Sequence, residues 1–583
     1  MPTLEWIGKD KVVNHHLDVP YRVLERKYSY DEAGQHDEDN GSENMIIHGD
    51  NLDALKALLP RYEGRVKCIY IDPPYNTGNE GWVYNDNVND PRIKKWLGEV
   101  VGKEGEDLSR HDKWLCMMYP RLKLLQRLLS DDGVIFISID DTEYANLKLI
   151  CDEIFGSNCF VSNISWQRTY STRNDSKGIV NEVEHIICYS KQPDWQPNKL
   201  PRTAEMDSKY KNPDNDYTLW RTDNAFAPGA ATHQGMVYAI QHPFTGKMLY
   251  PSNGACWRYQ QDTMLEIMNG WTSYELRDLN DSEERAKICG VPVSEVRQGV
   301  QAIVLSKPLT EASADARRIM ERGQWPRFFF TKGGLGGIAR KTYLENVGGR
   351  LPTNFWPHSE TGHTDEAKKE MLAFFDGRAT FDTPKPSRLL EFVLRIAADK
   401  EALVLDSFAG SGTTAHAVLN MNKTDGGHRR FILVEMMDYA DSITAERVKR
   451  VIDGYGSGRQ AVEGTGGSFS YYELGEPLMI GDVLNESVGV DKIREYVYFT
   501  DTKSRLPEAH VDEPYFLGVH VNSAYYFYYE REAVTTLNRD FLHTIKTPAD
   551  AYVIYADLCM LSETELEKYH ITFKKIPRDI TKL

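Results

Sequence analysis

Residues 69–78 read IYIDPPYNTG. The run KCIYID (67–72) reads as a strand buried in a sheet, and it passes directly into Pro73-Pro74. Asp-Pro-Pro-Tyr at the end of such a strand puts an acidic group, a prolyl carbonyl and an aromatic face at the carboxyl edge, where open α/β sheets bind ligands. Two prolines remove amide donors and fix φ, so the neighbouring carbonyls become rigidly held acceptors. A flat group bearing an NH2 suits this arrangement: Asp72 and the Pro73 carbonyl accept its two hydrogens, and Tyr75 stacks on the ring. A bare D-P-P-x is more often an ordinary turn capping a strand, but the strand before it and Asn76-Thr77-Gly78 after it favour a ligand site here.

Working outward, MIIHGDNLDALKALL (45–59) reads as a strand, a turn at Gly49-Asp50-Asn51 and a helix with Leu52, Leu55, Leu58 and Leu59 on one face. A helix around 115–129, the strand VIFISID (134–140) and a helix over 142–155 follow. This alternation predicts a parallel sheet covered by helices. It returns far downstream, in a helix over 387–398, the strand ALVLD (402–406), a glycine turn with its helix, and the strand RFILVE (430–435). In LVLDSFAGSGTTAHAVL (403–419) the glycines let backbone approach a ligand, and the helix N-terminus offers amide donors to a carboxylate or phosphate. No lysine follows as in a phosphate-binding G-x-x-x-x-G-K-[ST] loop, the chain has no such loop elsewhere, and the spacing departs from G-x-G-x-x-G. Glu435, closing the next strand, stands where an acid binds ribose hydroxyls. A nucleotide-like ligand is therefore expected, and NTP hydrolysis is not.

The two α/β blocks are separated by short strand-like pieces, turns and a helix near 261–268, so an insertion splits one domain. We expect an N-terminal arm (1–44), a catalytic half (45–194), the insertion (195–380), a cofactor half (381–475) and a strand-rich C-terminal domain (476–583) with a hairpin turning at Asn522-Ser523 and a last helix from about Ser562. The run YDEAGQHDEDNGSE closing the first segment is acidic and turn-rich, which suggests an arm that packs poorly.

At 583 residues the chain needs several structural units, and its net charge of −17 argues against coating a polyanion through bulk charge. The charge is unevenly spread. Residues 191–380 hold 24 basic and 23 acidic side chains, and residues 322–350 hold six basic to one acidic. That segment, with Arg322, Arg327, Lys332, Arg340, Lys341 and Arg350 among glycines, Trp325 and Phe328 to Phe330, is the best candidate for phosphate contacts; a solvated strand pair with core phenylalanines is the alternative. Residues 476–583, with 12 basic to 18 acidic groups, are expected to face protein rather than a polyanion. The aromatic run 525–529 reads as packed hairpin or subunit interface. The eight cysteines form no C-x-x-C pair, so no metal site is expected. With neither a membrane span nor a signal-peptide core in view, a cytoplasmic location is expected.

DPPY followed by a distant D-x-F-x-G-S-G-T-T resembles the amino-methyltransferases of the beta class that act on N6 of adenine in DNA. HGDNLDALKAL, DPPYNTG, WLCMMYPRLKLLQRLL, VIFISIDD, TPKPSRLLEFVLRIA and the extra C-terminal domain resemble, more narrowly, the modification (Mod) subunit of type III restriction-modification systems. The resemblance is strong over 45–190 and 381–460 and weak across the insertion. It implies an α/β, Rossmann-like S-adenosylmethionine-dependent methyltransferase fold split by a target-recognition insertion, plus a C-terminal α+β domain. It gives Asp72, Pro73, Pro74 and Tyr75 the catalytic role, and lines the cofactor with Asp406, Phe408, Ala409, Gly410, Gly412, Thr413 and, on its ribose, Glu435. Asp50, Asn51 and Lys385 are expected near the cofactor too, although Asp50 also reads as a helix N-cap and Lys385 as a solvated loop lysine. The implied substrate is an adenine flipped out of double-stranded DNA, and the implied partners are a second copy of the chain and a Res helicase-nuclease. The alternatives are a solitary adenine methyltransferase, a catalytically silent specificity protein, or methylation of RNA or protein glutamine.

Overall fold

A computed structural model describes residues 3–77, 109–170, 179–456, 458, 461–507 and 512–578. Gly78, the last residue of the quoted motif, lies outside them. The chain divides into two compact units, one of Met1–Asn198 with Pro352–Leu583 and the other of Lys199–Leu351. Among the described residues no helix is long and apolar enough to cross a membrane.

The first unit is built on an eleven-stranded sheet. Its strands in chain order are β1 (Arg22–Asp31), β2 (Gly34–His36), β3 (Met45–His48), β4 (Val66–Ile71), β5 (Leu129–Ile139), β6 (Phe160–Gln167), β7 (Val183–Ser190), β8 (Phe355–Trp356), β9 (Leu403–Asp406), β10 (Arg430–Glu435) and β11 (Ser468–Pro477). Across the sheet they run β8-β6-β7-β5-β4-β9-β10-β3-β11-β1-β2. The centre, from β5 through β4, β9, β10 and β3 to β11, is parallel, while β7 and β1 join it antiparallel. Strands of the parallel centre are apolar on both faces because helices cover them; β4 and β9 are buried almost throughout. The helices Asn51–Tyr62, Ser109–Leu128 and Tyr144–Phe155 serve the β3–β4–β5 half, and Ser387–Ala397 and Thr413–Asp425 the β9–β10 half. The helix 387–397 buries Leu389, Leu390, Val393, Leu394 and Ile396, the 3.6-residue stripe of a helix laid on a sheet.

The chain leaves β4 toward β5 on one side, whereas β9 on the other side continues to β10. The order therefore reverses between β4 and β9, the position at which open sheets form a crevice beyond their strand ends. Ile69 pairs with Leu405 and Asp406 with Leu433, so Asp72, Asp406 and Glu435 all emerge at that carboxyl edge.

Three expected boundaries are corrected. Residues 22–36 are no loose arm: β1 pairs along β11, with Tyr28 stacked on Tyr471 at 5.0 Å, and the acidic run only turns the chain from β1 into β2 through Gly34. The ladder outweighs the acidic turn: eight of the ten residues of RVLERKYSYD meet a cross-strand partner on β11, with register shifts at Val23 and Lys27, and Tyr28 and Ser29 are buried. The insertion ends at Leu351 rather than 380, because β8 joins the sheet beside β6 and the helix Thr364–Phe374 buries Met371 and Phe374 in the first unit. The C-terminal residues carry a sheet of their own, with strands at Phe516–His520, Ser523–Phe527, Ala551–Ala556 and Ile571–Lys575, but cluster with the catalytic unit. Their helix Val490–Thr502 sets Tyr496 5.0 Å from Tyr21 and pairs Glu495 with Arg61. The hairpin turns at Val521-Asn522, both at positive φ, one residue before the position expected. Tyr526 and Phe527 are core, and Ser562 caps the last helix with a reciprocal Glu565 bond.

The second unit, Lys199–Leu351, has its own core of Trp220, Tyr238, Trp257, Trp271 and Phe328 to Phe330. Its helix Gln261–Met268 has the expected limits.

Candidate active site

The chain leaving β4 is held rigidly. Trp114 Nε1 donates to the Pro74 carbonyl at 2.7 Å, and no donor among the described residues takes the Pro73 carbonyl. Asn76 adopts φ 63° and is wholly buried; its amide donates to Glu143, a buried carboxylate that also bonds His111 at 2.7 Å and Asn146 at 2.8 Å. Burial pushes the Glu143 carboxyl up, which those donors partly offset.

Asp72 is engaged on both oxygens. The Tyr75 hydroxyl lies 2.7 Å from Oδ1 and Lys385 Nζ donates to Oδ2 at 2.7 Å. The Tyr75 oxygen is also 2.6 Å from Glu184 Oε1 and accepts from Lys385 at 2.9 Å, while Lys385 reaches Glu184 at 3.2 Å. Two carboxylates, one ammonium and one phenol thus form a closed polar cluster. Burial works against the Lys385 ammonium, but Asp72 and Glu184 outweigh it and hold its pKa above the usual lysine value. Burial, with the same two carboxylates, pushes the Tyr75 phenol well up, so it stays protonated.

The second half of the site is the turn after β9. Asp406 accepts from the Phe408 amide at 3.0 Å and from the Thr414 hydroxyl at 2.5 Å, which fixes the start of the turn. Gly410 and Gly412 take φ values of 52° and 80°; a Cβ at Gly412 would sit 3.0 Å from the Thr444 carbonyl, so the turn cannot carry side chains there. Glu435 accepts from the amides of Gly410 at 2.7 Å and Met437 at 3.0 Å. Burial lifts the carboxyls of Asp406 and of Glu435 to about 7. Behind the turn, buried Arg447 donates to Ser411 and Thr413 at 2.9 and 2.8 Å and reaches Glu370, which accepts from Ser387 at 2.7 Å. One guanidinium therefore ties the glycine turn to the segment that carries Lys385.

Both halves line a single cavity of about 1070 Å³. The cavity brings together Asp72, Pro73, Pro74, Tyr75, Lys385, Asp406, Phe408, Ala409, Gly410, Thr413 and Glu435. Gly412 shapes the turn without lining the space. Asp50 and Asn51 do not line it either: Asp50 caps the helix 51–62 through the amides of Leu52 and Asp53, and buried Asn51 donates to the Ser407 carbonyl at 3.2 Å. Lys385 Nζ sits on Asp72 while its carbonyl accepts from Thr413 of the glycine turn at 3.3 Å, so it bridges the two halves. Glu184, Arg168, Trp166, Phe381 and Tyr439 line the cavity without having been anticipated.

A family profile described as DNA methylase matches residues 66–498, about three-quarters of the chain. The chain belongs to the N6/N4 DNA methylase family. The chain is 32% identical to the type III restriction-modification enzyme StyLTI Mod subunit of Salmonella typhimurium over 77% of this chain and 62% of that protein. It is 28% identical to the EcoP15I Mod subunit of Escherichia coli over 78% of this chain and 66% of that protein. The chain spans about two-thirds or less of the length of these curated relatives. Among solved structures it aligns weakly with the PvuII DNA methyltransferase (cytosine-N4-specific), at 13% identity and a TM-score of 0.31 over 70% of this chain and 86% of that one.

In the second unit, the basic segment is less open than its composition suggests. Arg322, Arg327 and Lys332 are exposed, but Arg340 is mostly covered by its pairing with Asp223. Lys341 is wholly buried between Asp214 and Asp216, and Arg350 is half-buried. Position in the sheet explains the difference: Arg327 precedes the strand Phe328–Phe330, while Lys341 lies inside Ile338–Tyr343, flanked on both sides by other strands.

Proposed function

We propose that this chain transfers the methyl group of S-adenosylmethionine to N6 of adenine in double-stranded DNA, as the modification and DNA-recognition subunit of a type III restriction-modification system. One observation carries the reading: an aspartate and a prolyl carbonyl that has no donor among the described residues, at the end of β4, share a cavity with the glycine turn after β9 and the acid closing β10. The Mod subunits among its relatives favour the type III role over a solitary enzyme.

The cofactor fits the residues present. A cavity of about 1070 Å³ suits a nucleoside cofactor together with a base, and a turn bare of side chains at Gly410 and Gly412 with paired carboxyls matches a ligand rich in hydroxyls and amines. Phe408, Ala409, Gly410 and Thr413 would hold it, with Glu435 on its ribose, and it supplies an electrophilic methyl on a cationic sulfur. The remaining work belongs to the chain. The adenine amine is a poor nucleophile because its lone pair is shared with the ring. Hydrogen bonds from it to Asp72 and the Pro73 carbonyl favour a tetrahedral nitrogen and free that pair, while Tyr75 gives the flipped base a stacking face. To bind, the amine takes the place at Asp72 Oδ2 now filled by Lys385, which keeps Glu184 at 3.2 Å, while Tyr75 stays on Oδ1.

The exposed Arg322, Arg327 and Lys332 are proposed to contact DNA phosphates. A second copy of the chain and a Res helicase-nuclease are the proposed partners.

Labelled S-adenosylmethionine and duplex DNA tests the reading: N6-methyladenine at one short site is expected, and label in cytosine would overturn it. Cofactor binding should also depend on pH. An ionised carboxylate accepts ribose hydroxyls more strongly than a protonated carboxyl, and burial lifts Glu435 to about 7, so affinity for S-adenosylhomocysteine should rise between pH 6 and pH 8 with release of protons to buffer. Calorimetry in buffers of different ionisation enthalpy reads both quantities.

A further inference from the structure

Methylating an amine creates a surplus proton, and the base that first receives it must be cleared for the next turnover. Asp72 is the nearest acceptor, and its proton must then leave the site.

The Tyr75 oxygen stands 2.7 Å from Asp72 Oδ1 and 2.6 Å from Glu184 Oε1, and a phenol has one hydrogen. With both carboxyls ionised, one of these two contacts contains no hydrogen. Adding one proton to Asp72 completes the chain, since Asp72 then donates to the Tyr75 oxygen and Tyr75 donates to Glu184. The cluster is thus short by the one proton that the reaction releases. Glu184 is the inner member, only 5% exposed against 23% for the Asp72 side chain, and its other oxygen lies 3.7 Å from Arg168, which is 39% exposed. The groups facing Glu184 are Asp72 and Tyr75 after β4, Tyr70 within it, Lys385 before the helix 387–397 and Arg168 after β6.

We propose that Tyr75 and Glu184 form a proton relay that clears Asp72, an inference that rests on the methyl-transfer reading above. In that reaction the N6 lone pair forms the bond to the methyl carbon, and the carbon–sulfur bond breaks with its electron pair left on sulfur. The N–H bond then breaks, its electrons return to nitrogen, and the proton passes to the Asp72 carboxylate. Asp72 gives a proton to the Tyr75 oxygen as the Tyr75 proton moves to Glu184. Asp72 is again ionised, Tyr75 is again a phenol, and Glu184 holds the proton until solvent near Arg168 removes it. Glu184 and Tyr75 act through Asp72 in this scheme and are positioning residues for the proton.

Three variants test the relay. Tyr75→Phe keeps the stacking ring and removes only the hydroxyl, Glu184→Gln keeps an acceptor and removes the base, and the third combines them. Multiple-turnover methyl transfer, which requires Asp72 to be cleared between cycles, should fall by about ten-fold or more in each single variant. The double variant should be no slower than the slower single, because both break one chain. Glu184→Asp should recover part of the rate. Binding of duplex DNA carrying 2-aminopurine at the target position, read by its fluorescence, should match the unaltered protein in all of them. Multiplying losses in the double variant, or lost DNA binding, would show Glu184 to be a structural brace and overturn the relay. So would a Glu184→Gln rate within two-fold of normal; the methyl-transfer reading would survive that result if Asp72→Ala were inactive. Absence of N6-methyladenine from the unaltered protein would sink both. Should Glu184→Gln fail to fold, Tyr75→Phe decides alone, because a normal rate without the hydroxyl leaves no relay.

Discussion

Replacing Asp72 by alanine should reduce methyl transfer by roughly 10³-fold or more while leaving S-adenosylmethionine bound and the fold intact. The loss is large because Asp72 supplies two effects that appear only as the amine becomes tetrahedral: a charged acceptor for one N–H and the first resting place for the released proton. Neither is replaced by a neighbour, since the Pro73 carbonyl is neutral and Glu184 lies beyond the Tyr75 oxygen. The fold should survive because Lys385, the cation opposite Asp72, keeps Glu184 at 3.2 Å and the Tyr75 oxygen at 2.9 Å, so no buried charge is stranded. Cofactor binding should survive because Asp406, Gly410 and Glu435 are fixed by bonds among themselves and to Phe408, Thr414 and Met437. Asp72→Asn keeps the shape and one carbonyl acceptor and should lose less. Equilibrium binding of labelled cofactor beside single-turnover transfer separates the two effects, and an Asp72→Ala variant that still methylates would remove Asp72 from the chemistry.

What could be read in advance was local. β4 with DPPY and β9 with its glycine turn each carry strand, turn and ligand-facing groups within about ten residues, and parallel strands buried on both faces announce themselves as unbroken apolar runs. Their meeting at one edge follows from connection rules, given the alternation of strands and helices. Glu184 was not legible for the opposite reason. VEHIICYS reads only as a strand, and the glutamate reaches Tyr75 because β7 runs antiparallel between β5 and β6 in a register that pairs Trp166 with Glu184. A one-residue slip would turn it to the other face. Lys385 shows the same limit from another side: TPKP marks a loop, but only the Glu370–Ser387 and Arg447 bonds decide that it folds back over Asp72.

Lys341 shows how composition misleads, and it carries the second large effect. It was read as a phosphate contact, yet its ammonium is wholly buried, ion-paired with Asp214 and Asp216, donating to the Trp325 carbonyl at 2.7 Å and lying 5.0 Å from the Trp220 ring centroid. Trp220 and the Trp325 amide also bond Asp214 at 2.8 Å, and Tyr343 bonds Asp216 at 2.9 Å, so one cation organises both ends of the basic segment. Lys341→Met should therefore destabilise the unit 199–351 by about 3–5 kcal/mol, because two carboxylates would remain buried with no cation. The pH dependence has a definite sign. Despite burial, which raises it, the Asp216 carboxyl is held below its usual value by Lys341 and its other donors, so its contribution is present above about pH 4 and is lost as pH falls through the folded pKa. In Lys341→Met that contribution disappears and the stranded carboxylates favour protonation, so the deficit should be smaller at pH 5 than at pH 8. Thermal melting at the two pH values, with limited proteolysis to locate cleavage within 199–351, measures both. A phosphate contact would behave in the opposite way, with an unchanged melting temperature and a shallower salt dependence of DNA binding; that pair of results would return Lys341 to the DNA surface.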